Sequence, residues 1–241
     1  MTVPYTFVAL LDVLGYRSKI DADRQRASED FKTKLEAALA ILTGLNETEI
    51  SYQAISDTII IANHPSARFC DLLRTLKRVH LAFLQQGLFL RGGIAFAPHF
   101  KSGPITYSHA LPVAYQLEQT QAVYPRIVID SNIIEMFSGD GKLSAEAGDV
   151  QSERLICVEN GIYFVNVAHE SADEYYELAR GIYQEEESAL HGREHELAKH
   201  RWLQNYIAAI SGVAREPYIK SLGVFFPQRW GANADEVEGG R

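Results

Sequence analysis

The feature that most constrains the fold is a run of apolar and β-forming residues from Tyr5 to Leu14, interrupted only by Asp12. A strand with one face in water alternates apolar and polar residues, so this run predicts a central strand that is covered on both faces. Asp12 is the one charged residue in the run, and Gly15 ends it. Because burying an isolated carboxylate is costly, we expect Asp12 to be paired or to bind a metal ion.

The segments that follow predict a ferredoxin-like core. Apolar residues at helical spacing and short β-rich runs give the order strand, helix, strand, strand, helix, strand. This order is the βαββαβ split motif of an α+β fold, whose helices pack on one face of an antiparallel sheet. After the first strand, the predicted elements are a helix over 28–45, strands over 49–55 and 58–62, a helix over 67–86 and a strand over 88–96.

The second half predicts extra strands and a helical C-terminal appendage. A helix over 108–121 has Pro112 in its first turn or is broken there, and a strand over 126–129 follows. Residues 138–151 are predicted to be a surface loop, before a final hairpin over 153–158 and 161–167 that turns at Asn160-Gly161. We interpret 1–170 as the main domain and 171–241 as helices packed on it, with a tail that is disordered after Trp230.

Composition narrows the classes of partner. The 241 residues carry a net charge of -8, which disfavours general binding to nucleic acid because a phosphate backbone repels an acidic chain. Cys70 and Cys157 are far apart and share no ligand spacing with histidine, so neither a disulfide framework nor a structural zinc site is expected. The apolar N-terminal run is too short to span a membrane and lacks a basic region, so we expect a cytoplasmic protein without a membrane partner.

A second acid, Asp57, is placed at the turn of the predicted hairpin. Alone, it would be interpreted as an ordinary turn residue. In a βαββαβ sheet, however, the first strand lies beside this hairpin, so the carboxylates of Asp12 and Asp57 are expected to approach each other. Two such charges repel unless a cation bridges them, and oxygen ligands of this kind suit Mg²⁺ or Mn²⁺ held together with phosphates. The loop after Gly15, over 14–17, offers backbone N–H groups that can cradle a triphosphate.

Four motifs in consistent order resemble the class III adenylyl and guanylyl cyclases. Residues 12–16, DVLGY, resemble the D-I-x-G-F signature, and Asp57 resembles the second metal-binding aspartate. Residues 90–95, LRGGIA, and 114–118, AYQLE, resemble the later R-x-G-I strand and the A-A-R-L-E helix. The chain departs from the family pattern at Gln116, Pro112 and Gln53, which stand where the family has an arginine, an asparagine and a purine-selecting lysine.

The short, divergent chain looks like the bacterial pyrimidine cyclases of the Pycsar anti-phage systems, which make cyclic UMP or cyclic CMP to activate a separate effector protein. The resemblance implies a uridylate cyclase, with UTP favoured over CTP and ATP, and Tyr52 as the uracil-selecting residue. Strand alternation places Tyr52 and Gln53 on opposite faces, and the pattern alone favours Gln53, which is in register with Asp57.

The resemblance also implies the composition of the active site. Two divalent ions, Mn²⁺ or Mg²⁺, would bind Asp12, Asp57 and the Val13 carbonyl. Substrate contacts would come from Tyr52, Gln53, Gly15, Tyr16 and Thr58. With the family arginine absent, Arg91, Arg126 and Lys101 are the candidate cations for the transition state. The active sites would lie between two chains of a homodimer.

Two other interpretations compete with this one. The family arginine and asparagine are absent at Gln116 and Pro112, which favours an inactive, cyclase-like nucleotide-binding module. Retention of both aspartates favours an enzyme. A different ferredoxin-like phosphotransfer enzyme is disfavoured, because the hairpin turn Ser56-Asp57-Thr58 lacks a diguanylate cyclase signature and the acidic chain does not suit a polymerase palm.

Overall fold

The computed structural model describes residues 2–44, 50–102, 105–139, 141 and 143–219. Eight strands form one sheet in the order β2-β3-β1-β4-β6-β8-β7, with β5 paired to the far end of β4. The strands are β1 Tyr5–Val13, β2 Ile50–Ile55, β3 Thr58–Asn63, β4 Leu90–Ser102, β5 Ile105–Ser108, β6 Ile127–Ile129, β7 Ile156–Glu159 and β8 Ile162–Val165. The α-helices are α1 Tyr16–Arg26, α2 Asp30–Thr43, α3 Phe69–Gln85, α4 Ala110–Thr120, α5 Ser131–Glu135, α6 Ala147–Ser152, α7 Ala172–Leu190 and α8 Glu194–Ser211.

The first four strands confirm the predicted ferredoxin-like core. β1 lies between β3 and β4 and is antiparallel to both, and β2 pairs only with β3 in this part of the sheet. This is the arrangement that two interleaved βαβ units produce. β6, β8 and β7 then extend the sheet from β4, and β6 runs parallel to β4. The mixed α/β architecture therefore places β1, with Asp12 near its end, in the interior of the sheet.

The sheet is covered on both faces. Alternate residues of β1, including Phe7 and Leu11, face the main core, which is built from α2, α3, α7 and α8. Val8 and Leu10 face a smaller core under α4. Helix α4 lies so close to β4 that a Cβ at Gly93 would stand 2.4 Å from the Ala114 carbonyl oxygen, so this contact requires glycine. Asp12 shares the α4 face with Leu10 because side chains alternate along a strand.

The C-terminal helices belong to the main core. Trp202 of α8 stacks on Tyr124 with ring centroids 5.5 Å apart, and the Tyr206 hydroxyl donates to Asn166 Oδ1 at 2.8 Å. Trp202 and Tyr206 are buried, as are Leu203 and Ile207. The apolar stripe of α8 therefore packs on the chain's own sheet. Among the described residues, no helix is both long and apolar enough for a membrane span.

Three segments differ from the predictions. The polar loop expected after Gly15 is helix α1, which buries no residue and so lacks the apolar stripe that would have revealed it. The predicted loop over 138–151 contains short helices, and its Glu146 is buried because its carboxylate accepts hydrogen bonds from the first two N–H groups of α3, at Phe69 and Cys70. β4 is longer than predicted and forms, with β5, a hairpin here called the β4–β5 arm. The predicted disordered tail lies outside the described residues.

Candidate active site

The two aspartates meet where β1 ends. Asp12 pairs with Thr58, the first residue of β3, and the Val13 N–H donates to the Asp57 carbonyl at 3.1 Å. Asp57 belongs to the two-residue turn of the β2–β3 hairpin, in which Ser56 has a left-handed φ of 58°. The hydrogen bond continues the β1–β3 ladder into the turn. The structure therefore brings together the two carboxylate residues that the sequence singled out.

The two carboxylates have different surroundings. The Asp12 side chain is 20% exposed, and its Oδ2 accepts a hydrogen bond from Arg91 Nε at 3.0 Å. Burial raises the pKa of Asp12, Arg91 opposes this rise, and the negative charge of Asp57 adds to it. In the described part of the chain, neither Asp12 Oδ1 nor the Asp57 side chain makes a hydrogen bond or ion pair. Each of the two residues therefore has carboxylate oxygens without a partner in the described part of the chain.

Arg91 is held by carboxylates and does not point freely into a site. Its Nη2 lies 2.5 Å from Glu118 Oε1, on α4, while its Nε binds Asp12. Glu118 is only 1% exposed, and burial raises its pKa while Arg91 opposes the rise. The expectation that Arg91 supplies a free cation for the transition state is corrected by these contacts. Arg91 instead links a buried glutamate to Asp12 and positions the Asp12 carboxylate.

Arg126 lies in an aromatic cage away from the carboxylate pair. It is 5% exposed, its Nη1 binds Glu159 Oε2 at 2.8 Å, and its Nη2 donates to the Gln121 carbonyl at 3.0 Å. The guanidinium also lies 5.5–5.6 Å from the ring centroids of Tyr124, Phe164 and Trp202. The predicted catalytic position of Arg126 is therefore corrected, because its donors are used inside the fold.

The β2 register separates the two candidates for base recognition. Gln53 pairs with Ile60 and so shares the α4 face with Thr58 and Asp12. Tyr52 pairs with Ile61, lies on the opposite face and packs against the main core. The geometry therefore places Gln53, and not Tyr52, on the face that carries the carboxylate pair.

Gln53 lines a narrow cleft between the β2–β3 hairpin and the β4–β5 arm. Lys101, the third candidate cation, lines the same cleft from the arm, and its Nζ donates to the Tyr52 carbonyl at 3.1 Å. Lys101 is exposed and therefore remains accessible to a ligand or to a second chain.

The loop after β1 has the conformation that its glycine allows. Gly15 has φ 75° and directly precedes α1, so this position favours glycine. The Tyr16 ring packs edge-on against Phe31 of α2, with centroids 5.3 Å apart. Of the predicted substrate contacts, Gly15 and Tyr16 can therefore offer backbone N–H groups, whereas the Tyr16 ring belongs to the core.

The open carboxylates have the chemistry of a magnesium or manganese site. The described residues contain no group of three or more His, Cys, Asp or Glu side chains that would hold a metal ion by themselves. Mg²⁺ is usually bound by only one or two protein carboxylates, with water and substrate phosphates completing its coordination. Asp12 and Asp57 fit that requirement, and the Val13 carbonyl is the predicted third donor.

Glu118 is the residue of this cluster that sequence reasoning missed. It occupies the apolar stripe of α4 together with Ala110, Ala114 and Leu117, all of which are buried. Glu118 follows Ala114 by four residues and Ala110 by eight, so the sequence places it on the apolar face of the helix. An acid on such a face needs a cationic partner, and this position could have identified Glu118 as a site residue.

Known proteins resemble this chain only in general architecture. Neither a protein-family model nor a curated protein matches the sequence. Among solved structures, the chain is similar to the monomeric guanylyl cyclase domain of the RhoGC fusion protein from the aquatic fungus Blastocladiella emersonii, at 11% identity and a TM-score of 0.45, over 69% of this chain and 96% of that one. It is also similar to the guanylyl cyclase Cya2, at 16% identity and a TM-score of 0.41, over 68% and 94% of the two chains. The strand order and register described above, and not this likeness, define the fold.

Proposed function

We propose that this protein is a nucleotide cyclase that converts a nucleoside triphosphate, UTP by preference, into a 3′,5′-cyclic monophosphate and pyrophosphate. The observation that carries the proposal is the meeting of Asp12 and Asp57 through the Val13 hydrogen bond, with open carboxylate oxygens on both. The order of the cyclase-like motifs along the sequence supports it. An inactive binding module would have little use for two adjacent, incompletely paired carboxylates, which repel each other.

The proposed reaction assigns a task to each element of the site. Asp12 and Asp57 hold divalent ions, which when bound neutralise the triphosphate and lower the pKa of the ribose 3′-hydroxyl. Backbone N–H groups at Gly15 and in the first turn of α1 orient the phosphates, and Arg91 keeps the Asp12 carboxylate in place. The 3′-oxygen forms a bond to the α-phosphorus while the bond to the leaving pyrophosphate breaks, and the hydroxyl proton passes to solvent. Positioning and charge stabilisation supply most of the rate enhancement.

The base and the second chain complete the proposal. The Gln53 amide has both donors and an acceptor, so it can hydrogen-bond the Watson–Crick edge of uracil. Exposed apolar side chains on the β4–β5 arm and α4, among them Ile105, Tyr107 and Tyr115, suit burial against a second copy of the chain. In such a homodimer, each site would lie between the two chains. We propose that the cyclic nucleotide then acts on a separate effector protein in anti-phage defence.

The direct test is to incubate the purified protein with ATP, GTP, CTP or UTP and Mn²⁺, and to identify the products by mass spectrometry. We expect cyclic UMP and pyrophosphate from UTP. A cyclic product from another base would keep the cyclase proposal and replace the substrate. Binding of nucleotide and Mn²⁺ without any cyclic product would favour the inactive module instead.

Gln53→Ala is expected to change the choice of base. Removing the amide should lower kcat/KM for the preferred nucleotide about tenfold or more, because a buried polar edge of the base would lose its partners. Tyr52→Phe is the matched control on the neighbouring position, and we expect it to leave the ratio of kcat/KM values for UTP and CTP unchanged. Competition assays with mixed nucleotides measure this ratio. A change of ratio in Tyr52→Phe alone would assign base recognition to the other face.

A further inference from the structure

A cleft of about 440 Å³ lies between the start of α1 and the C-terminal helices. At one end it is lined by Leu14, Gly15 and Ser18, the residues that follow Asp12 in the chain. Its opposite wall is formed by α7 and α8 and includes Lys199 and His200. The backbone around Gly15, which is proposed to orient phosphates, therefore faces a space that α7 and α8 help to enclose.

Lys19 and Lys199, two of the three lysines that line this cleft, differ in their partners. Lys19 Nζ lies 3.3 Å from Glu186 Oε1, and the other oxygen of Glu186 lies 3.2 Å from His200 Nε2. Lys199, by contrast, makes no hydrogen bond or ion pair in the described part of the chain, although its side chain is half-buried. A half-buried ammonium group without an anionic partner is costly unless a ligand supplies the anion.

The charge of Lys199 also acts on Asp12. Its positive charge favours the ionised form of Asp12 and so opposes the rise in pKa that burial causes. Helix α8 is a rigid support for this charge, because Trp202 and Tyr206 anchor the helix in the main core three and seven residues later. The ammonium group is thus positioned by the packing of α8 and not by an ion pair.

We infer that Lys199 binds the β- and γ-phosphates of the nucleoside triphosphate held at Asp12 and Asp57, so that α8 contributes to the active site of its own chain. The inference rests on the proposed function. The proposed reaction also requires positive charge beside the phosphates, and α4 supplies none. Helix α4 carries Gln116 where the cyclases that the sequence resembles have an arginine, and the one charged residue of α4 is the buried Glu118. A cation from α8 would supply positive charge on the leaving-group side.

Binding of inorganic tripolyphosphate in the presence of Mn²⁺, measured by isothermal titration calorimetry, tests the inference without requiring catalysis. We expect Lys199→Gln to raise the dissociation constant about tenfold or more, because a charge-assisted phosphate contact is lost. Lys34→Gln is the matched control, since Lys34 lines the same cleft from α2 but is exposed to solvent. We expect less than about a twofold change for that control, and Lys199→Arg should restore most of the binding.

The outcomes separate this inference from the proposed function. Weaker tripolyphosphate binding in Lys199→Gln, with the same thermal midpoint as the wild type, supports the inference even if no nucleotide is cyclised. With cyclisation, the same variant should also show a raised KM for the nucleotide. Unchanged binding in Lys199→Gln, an equal loss in Lys34→Gln, no rescue by arginine, or no tripolyphosphate binding to the wild type would each overturn it.

Discussion

Asp57→Ala is expected to reduce formation of the cyclic product by at least about a hundredfold while leaving the protein folded. The activity falls because one of the two carboxylates proposed to hold divalent ions is removed. The fold persists because the Asp57 side chain makes no hydrogen bond or ion pair in the described part of the chain, and the bond from Val13 uses the backbone carbonyl. Substitutions at such positions usually change the free energy of unfolding by less than about 0.5 kcal/mol.

Product formation and thermal unfolding should be measured on the same preparations. Asp57→Asn keeps the size of the side chain and removes its charge, so we expect it to reduce product formation by a factor similar to that of Asp57→Ala. Asp21→Ala removes an equal charge from an exposed position on α1 and serves as the control, with activity near that of the wild type. Retention of activity in both Asp57 variants would contradict a metal-binding role for this residue.

Arg91→Met is expected to lower the free energy of unfolding by about 3–5 kcal/mol. The reason is the charge that remains, because Glu118 is 1% exposed and would lose its cationic partner. Asp12 would lose its hydrogen bond from Nε as well. For a chain of this size, the loss corresponds to a decrease of about 10 °C in the thermal midpoint. Arg24→Met, which breaks an exposed ion pair with Asp21, should change stability by less than about 0.5 kcal/mol.

A double variant distinguishes a structural from a catalytic role for Arg91. Arg91→Met combined with Glu118→Met removes both charges, and we expect it to recover much of the lost stability, since an apolar pair can replace a buried ion pair. Urea unfolding of the two single variants and the double variant measures the coupling. If Arg91→Met instead left stability unchanged and reduced only kcat, Arg91 would be a transition-state cation after all.

The sequence predicts the elements that have a strong local pattern. The run around Asp12 indicates a buried central strand, and the structure places that strand between β3 and β4. The Asn160-Gly161 turn is predicted from its residue types, and both residues have positive φ values, of 50° and 74°. The meeting of Asp12 with Asp57 follows from topology, because interleaved βαβ units leave β1 beside the hairpin strand.

The sequence does not show which side chains contact each other across long separations in the chain. Arg91 and Arg126 look equivalent in a list of basic residues, but one links Asp12 to Glu118 and the other lies in an aromatic cage. The distinction depends on residues tens of positions away. Helix α1 buries no residue and has no apolar stripe, so no periodicity separates it from a loop. Lys199 and Gly15 are far apart in the sequence, and the packing of α8 places both in the lining of one cleft.

The placement of α8 in the main core has a consequence for synthesis. Leu203 and Ile207 of α8 are buried in the same core as Leu11 of β1, so a strand near the start of the described residues shares its core with a helix near their end. Domains fold as units while the ribosome extends the chain, at about 5–20 residues per second. A nascent chain that has not yet released α8 therefore cannot close this core. A chain that ended before α8 would therefore leave part of the core around Leu11 exposed to solvent.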